Sequence, residues 1–293
     1  MDKQYLYSFF IRGDLPGAIE YMSQFEEMNG LVESYRNIFM NEQYLTYDIP
    51  EKLNDILIEY QRYFRDVFYC RMNDEAASSL LFERLSNKLG ISSVSESDVE
   101  EELNKLFEQY GYHILTGRTN GHHGPYVWKE TVPTTYEVEL PCGIRQYTVN
   151  ILRGFVMRSW MDYVSFGKIG TGGWAGVDGT INCVEQAYDF ESDSFRVSLL
   201  KHEAQHVEDM AKWPDITPAE LEYRAKLVEL IYSEDQTLLS KFISEADSNR
   251  TYDSHAMANA KIADEMSDYV GKTTIEIHQR AKELFDVSSR RSA

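Results

Sequence analysis

Cysteine is scarce in these 293 residues: Cys70, Cys142 and Cys183 are odd in number, lie far apart and form no C-x-x-C pair. That argues against a disulfide framework and for a reducing compartment. Basic side chains are also in short supply, 29 against 48 acidic ones, giving a formal charge of -19. A surface that negative repels nucleic acid and anionic lipid, so neither is expected as a partner. No apolar stretch approaches the length of a membrane span. The opening MDKQYLYSFFIRGD has only Lys3 ahead of a short apolar run broken at Arg12 and Asp14, a poor secretory signal. The expectation is a cytoplasmic protein without membrane contact. What is present is ordinary for a globular chain: 43% hydrophobic and 26% charged residues, enough for one large domain or two modest ones.

Three textures follow one another. Residues 1–110 are helical in pattern. One helix falls around Ala18 to Met28, after the turn-like Gly13 to Gly17. A longer one follows Pro50, with Leu53, Ile56, Leu57, Tyr60, Tyr63, Phe64 and Phe68 at helical spacing. A third runs from Asp74 to Leu89 and stops at Gly90; a fourth begins at Ser95 or Ser97, Ser97 being favoured because Glu100 completes a capping box. The aromatics here, Tyr60, Tyr63, Phe64 and Tyr69, read as core rather than a ligand box. Residues 111–190 are strand-rich, with a hairpin turning at Pro141-Cys142-Gly143 and a second at Val177-Asp178-Gly179-Thr180. Gly154 to Phe166 suits helix or strand equally. Residues 193–287 are helical again, and Ser288 to Ala293 read as a frayed tail. Helices, then strands, then helices imply an α+β fold, with a helical region at 1–110 and a second domain at 111–293.

The chemistry concentrates in Lys201-His202-Glu203-Ala204-Gln205-His206-Val207-Glu208-Asp209, which contains His-Glu-x-x-His. On a helix, residues four apart stack one turn above each other, so His202 and His206 can offer two nitrogens to one ion. Glu203 is rotated to the side of that ion, where a general base for activated water belongs. Ser194 would cap this helix. A metzincin would carry glycine and a third histidine where Asp209 and Lys212 stand, which removes that class. The next helix, opened by Thr217 and Pro218, offers Glu220, Glu222 and Glu229. Glu220 has a capping role and points away from the apolar stripe of Leu221, Ala225 and Val228. Glu222 flanks that stripe, and the small Ala225 would admit a close neighbouring helix; it is the better third ligand, with Glu229 on the same face as an alternative.

His202-Glu203-Ala204-Gln205-His206 together with Glu222-Tyr223-Arg224-Ala225 resembles the gluzincins, zinc metallopeptidases that include the thermolysin-like enzymes. The resemblance covers about two helices. It implies a zincin-like core with a small antiparallel or mixed sheet and one catalytic Zn2+. His202, His206 and Glu222 would be ligands, Glu203 the base, and peptide or protein the substrate. Gluzincins add a histidine or tyrosine from beyond the third ligand to stabilise the transition state. His255 suits that role, with a packed structural histidine as its rival and Tyr252 or Tyr223 next in line; His278 reads as surface. Asp209, on the face of His206, either orients a ligand histidine or a neighbouring basic group, or is a solvated helix aspartate. The glycine-rich Gly170 to Gly176 is either a flexible turn or the edge strand that pairs with substrate in zincins. The loop Gly117 to Tyr126, with His122 and His123, reads as surface or lid. Two other classes compete: a zincin-fold scaffold or regulatory protein with weak or no catalysis, and a small-molecule amide or ester metallohydrolase. The intact Glu203 favours an enzyme.

Overall fold

Short polar side chains set where the helices begin. In the computed structural model, which describes residues 1–92, 95–176, 178–251 and 253–290, Asp2 caps Lys3–Ile11, Asp14 caps Leu15–Met22 and Asn73 caps Asp74–Leu89. Each accepts backbone N–H groups that have no partner inside the helix. Glu51–Phe64 starts directly after Pro50, and its Leu53, Ile56, Leu57, Tyr60, Tyr63 and Phe64 are buried, core as the spacing predicts. Gly90 ends Asp74–Leu89 in the left-handed region at φ 73°. The next helix, Glu96–Gln109, is capped by Ser95 and not by Ser97. A cap needs extended backbone, which Ser95 has, while Ser97 already lies within the helix.

The chain divides into two compact units, Met1–Glu130 with Gly154–Thr171, and Thr131–Arg153 with Gly172–Ala293. The boundary expected after residue 110 is therefore displaced. His113–Leu115 pairs with Tyr126–Trp128, which pairs with Met157–Arg158, and Ile114, Val127 and Met157 share a buried core with Leu103 and Phe107. Hydrogen-bonded strands follow their partners, so the strand-rich texture is split between the units. Gly154 to Phe166 resolves into both readings, the strand Met157–Arg158 and then the helix Ser159–Val164.

In the second unit the sheet order is Glu130–Leu140, Gly143–Arg153, Ile181–Val184, Gly173–Ala175. Gly143, at φ 117°, turns the first hairpin where the sequence predicts it. Val149 to Leu152 run parallel to Ile181 to Val184, and Gly173–Ala175 runs antiparallel to the same strand, so the sheet is mixed. Of the second predicted turn, Asp178 and Gly179 are described and Val177 lies outside the described residues. Val138, Val149, Ile151 and Ile181 bury against Phe195, Leu199, Ala204 and Leu227 in one core, which seats the helices on the sheet.

Those helices are His202–Lys212, Pro218–Tyr232, Leu238–Ser244, Ser254–Met266 and Thr274–Ser288. The turn leading into the first is capped by Ser192 rather than Ser194 and continues through π-helical bonds over Arg196–Lys201. Pro218–Tyr232 packs against the first, fourth and fifth of these helices. Ser288 and Ser289 are not frayed: both hydroxyls bond the buried Arg224, at 2.5 and 3.1 Å. Residues 291–293 lie outside the described residues. The fold is mixed helix and sheet, compatible with α+β. Among the described residues no helix is long and apolar enough to cross a membrane.

Candidate metal centre

The π-helical segment gives way to regular α-helix at His202, and from there 3.6-residue spacing stacks His202 over His206. Their ring centroids are 4.5 Å apart with planes at 86°, and both residues are buried. His202, Glu203 and His206 place donor atoms within 4.8 Å of one another, a group that can hold a metal ion.

Glu222 comes to this pair from the neighbouring helix Pro218–Tyr232. One carboxylate oxygen lies 3.3 Å from His202 Nε2 and the other 3.5 Å from His206 Nε2. Those contacts join Glu222 to the histidine pair, which with Glu203 forms the group able to hold a metal ion. Ala204 and Ala225 are both fully buried on these two packed helices, the close approach that small residues allow.

Glu229 lies two turns beyond Glu222 and is buried, with Oε1 2.7 Å from His202 Nδ1. It stands behind the histidine rather than beside the second one, and so directs Nε2 toward Glu222. Burial alone would lower the His202 pKa; the carboxylates of Glu222 and Glu229 on either side outweigh it and hold it up at about 10. Burial would likewise raise Glu222, but the imidazoles of His202, His206 and His255 hold it far below the usual carboxylate range. Two imidazoles are thus enclosed by several carboxylates, a donor set that favours a cation.

Glu203 is half-buried beside the pair, and its Oε2 accepts the Ala175 backbone N–H at 2.9 Å. Ala175 belongs to the outermost strand of the sheet. Gly172 and Gly176 bond across to Val184 and Thr180, so by antiparallel alternation the backbone groups of Gly173 and Ala175 face the open side. The glycines here serve close approach. A Cβ on Gly173 would lie 2.4 Å from Leu199 Cδ1 and 2.5 Å from the Asn182 carbonyl, and one on Gly172 would lie 2.4 Å from the Tyr188 hydroxyl.

The other sequence candidates fall in varied places. His255 is exposed and puts Nδ1 3.0 Å from Glu222. Tyr223 is buried and its hydroxyl bonds Glu265 at 2.5 Å, which commits it away from the histidines. Tyr252 lies outside the described residues. His278 is half-buried rather than a free surface group, bonded to the Ser233 carbonyl at 2.8 Å. Asp209 is buried and, of the roles its sequence position allowed, takes the one on a neighbouring basic group rather than on His202 or His206. It pairs through both oxygens with buried Arg224, at 2.7 and 3.0 Å, and accepts from Gln205 at 2.8 Å. Glu220 combines its cap position with a contact to Lys261 at 3.4 Å and is buried.

In the first unit the paired histidines are pinned rather than forming an open surface loop. Arg118–Thr119 pairs with His122–His123 around Asn120 and Gly121, both in the left-handed region. His122 bonds Asp74 at 2.9 Å, whereas His123 is buried against Tyr63 and Phe82.

Sequence reasoning named Glu229 only as an alternative ligand and missed Ala175. The two-turn spacing of Glu222 and Glu229 was a readable signal for the first; a backbone N–H has no sequence signal. No protein-family model matches this chain, and no curated protein or solved structure matches it either.

Proposed function

We propose that the second unit is a zinc-dependent hydrolase with a zincin-like core and a gluzincin-type ligand set, most suited to cleaving peptide bonds. One observation carries the reading: Glu222 reaches from a separate helix to within 3.3 and 3.5 Å of the Nε2 atoms of His202 and His206. His202, His206 and Glu222 would hold the ion, and Glu229 would keep His202 turned toward it. Zinc in such a site supplies Lewis acidity and lowers the pKa of water. Glu203 would take the proton of the attacking water and return it to the leaving amine. Its Oε2 is tethered by Ala175, which steadies the carboxylate for that transfer. An extended peptide would pair along the outer side of Gly173–Ala175 through the Gly173 backbone groups and the Ala175 carbonyl, the Ala175 N–H being held by Glu203, so that affinity comes without demanding particular side chains. The unpaired Cys70, Cys142 and Cys183 suit a reducing compartment.

The test combines elemental analysis with a peptide-library cleavage assay on the full chain. One zinc per chain is expected, with cleavage by the parent. Glu203→Gln should keep the ion, since Gln is nearly isosteric, and lower turnover about 10²–10⁴-fold. Absence of zinc after metal-replete expression overturns the metal centre. Equal turnover in the variant removes Glu203 from the role of base, and zinc without cleavage favours the scaffold class.

A further inference from the structure

Glutamate reaches a metal through a flexible side chain, so a carboxylate ligand needs a contact on its outer side to stay in one orientation. For Glu222 the described contact on that side is His255. Its Nδ1 lies 3.0 Å from Glu222 Oε2, the oxygen that is also 3.3 Å from His202 Nε2; both are close charge contacts, and among the described residues this buried oxygen accepts no aligned hydrogen bond. The His255 side chain is 61% exposed while that of Glu222 is 13% exposed, so the contact joins a solvent-facing imidazole to a largely buried carboxylate.

The position of His255 is built into the fold. It is the second residue of Ser254–Met266, whose cap, Asp253, accepts the Ala256 N–H at 3.0 Å. The other Asp253 oxygen is held by Arg250 at 2.7 Å, so Asp253 is occupied with the cap and its arginine. Ala256, Ala258 and Ile262 are buried on this helix, which packs against the one carrying Glu222. A short, rigid path therefore runs from the packed helix to the nitrogen.

We infer that His255 is a positioning residue for Glu222: it fixes the carboxylate in the orientation that faces both Nε2 atoms. This rests on the metal-centre reading and replaces direct action on the substrate as the role of His255. Carboxylates on metals are as a rule held by a partner outside the metal, and loss of such a partner typically costs about 10–100-fold in metal affinity.

The experiment measures zinc affinity by chelator competition, and the visible spectrum of the cobalt(II)-loaded chain, for the parent, His255→Ala and His255→Asn. The asparagine amide can place an N–H near the position of Nδ1; alanine cannot. Expected are one ion per chain in all three, affinity about 10–100-fold weaker in the alanine variant, an altered cobalt spectrum there, and recovery of most of both in the asparagine variant. Circular dichroism of the metal-free chains checks that all three fold. Unchanged zinc affinity in His255→Ala overturns the inference; with reduced kcat it assigns the residue to the transition state instead. Failure of asparagine to recover any affinity, in a folded chain, also overturns it and leaves His255 a packing role. A parent that binds no zinc is a different result, which removes the metal centre itself and this inference with it.

Discussion

Glu229 shows how one residue's location changes its chemistry. It shares a helix with Glu222, yet its Oε1 meets His202 Nδ1 at 2.7 Å, on the far side of the ring from Nε2. A carboxylate there selects the tautomer with hydrogen on Nδ1 and leaves the Nε2 lone pair for an ion. Glu229→Ala should therefore lower zinc affinity about 10–100-fold with stoichiometry unchanged. Glu229→Gln, which keeps an acceptor oxygen, should lose less. Chelator competition reads both, and equal affinity in Glu229→Ala and parent would show that something else orients the ring. Asp209 illustrates the opposite outcome. Its carboxylate is spent on buried Arg224, which also holds Ser288 and Ser289, so it ties the histidine helix to the end of the last helix.

Among the elements, the short strand Gly173–Ala175 depends on having almost no side chain at its start. A Cβ at Gly173 would press on the Leu199 terminus at 2.4 Å, which can move, and on the Asn182 carbonyl at 2.5 Å, which belongs to the neighbouring strand and cannot move cheaply. Gly173→Ala should cost about 1–3 kcal/mol in stability by overpacking. It should also shift Ala175 from Glu203, reducing turnover while the zinc content stays at the parental value. Thermal unfolding, metal analysis and kinetics on one preparation test this; parental stability and turnover would mean the strand tolerates the extra carbon. The π-helical turn over Arg196–Lys201 is a second local feature that spacing alone did not reveal, because it changes hydrogen-bond partners without changing residue type.

For the molecule as a whole, acid should weaken the first unit through a residue remote in sequence from the metal centre. Burial, aided by Arg118, pushes His123 down to about 4 from the ordinary 6.5. Between those values the folded chain binds fewer protons than the unfolded one. Its contribution is fully present above pH 6.5 and is lost as pH falls toward 4. Urea midpoints measured across that window should fall with acid, and His123→Phe should make the fall shallower. Identical slopes in parent and variant would exclude His123 as the source. The net charge of -19 adds a salt-dependent background common to both proteins, so the comparison isolates the histidine.

Local pattern was enough for much of the molecule. The helix after Pro50, the glycine stop at Gly90, the hairpin at Gly143 and the spacing of His202 and His206 depend on residues a few positions apart, and such contacts are written in order along the chain. That Glu222 would approach the histidines could be anticipated in another way, as a carboxylate on the next helix beside a small residue. Tertiary structure decided what depends on partners distant in sequence. It divided the strand-rich stretch between two units, because strands settle by pairing rather than by composition. It set Glu229 behind His202, turned Asp209 to Arg224, brought the Ala175 N–H to Glu203, and placed the nitrogen of His255 on Glu222. Each of those is a choice among several chemically equivalent partners, and only packing in three dimensions removes the others.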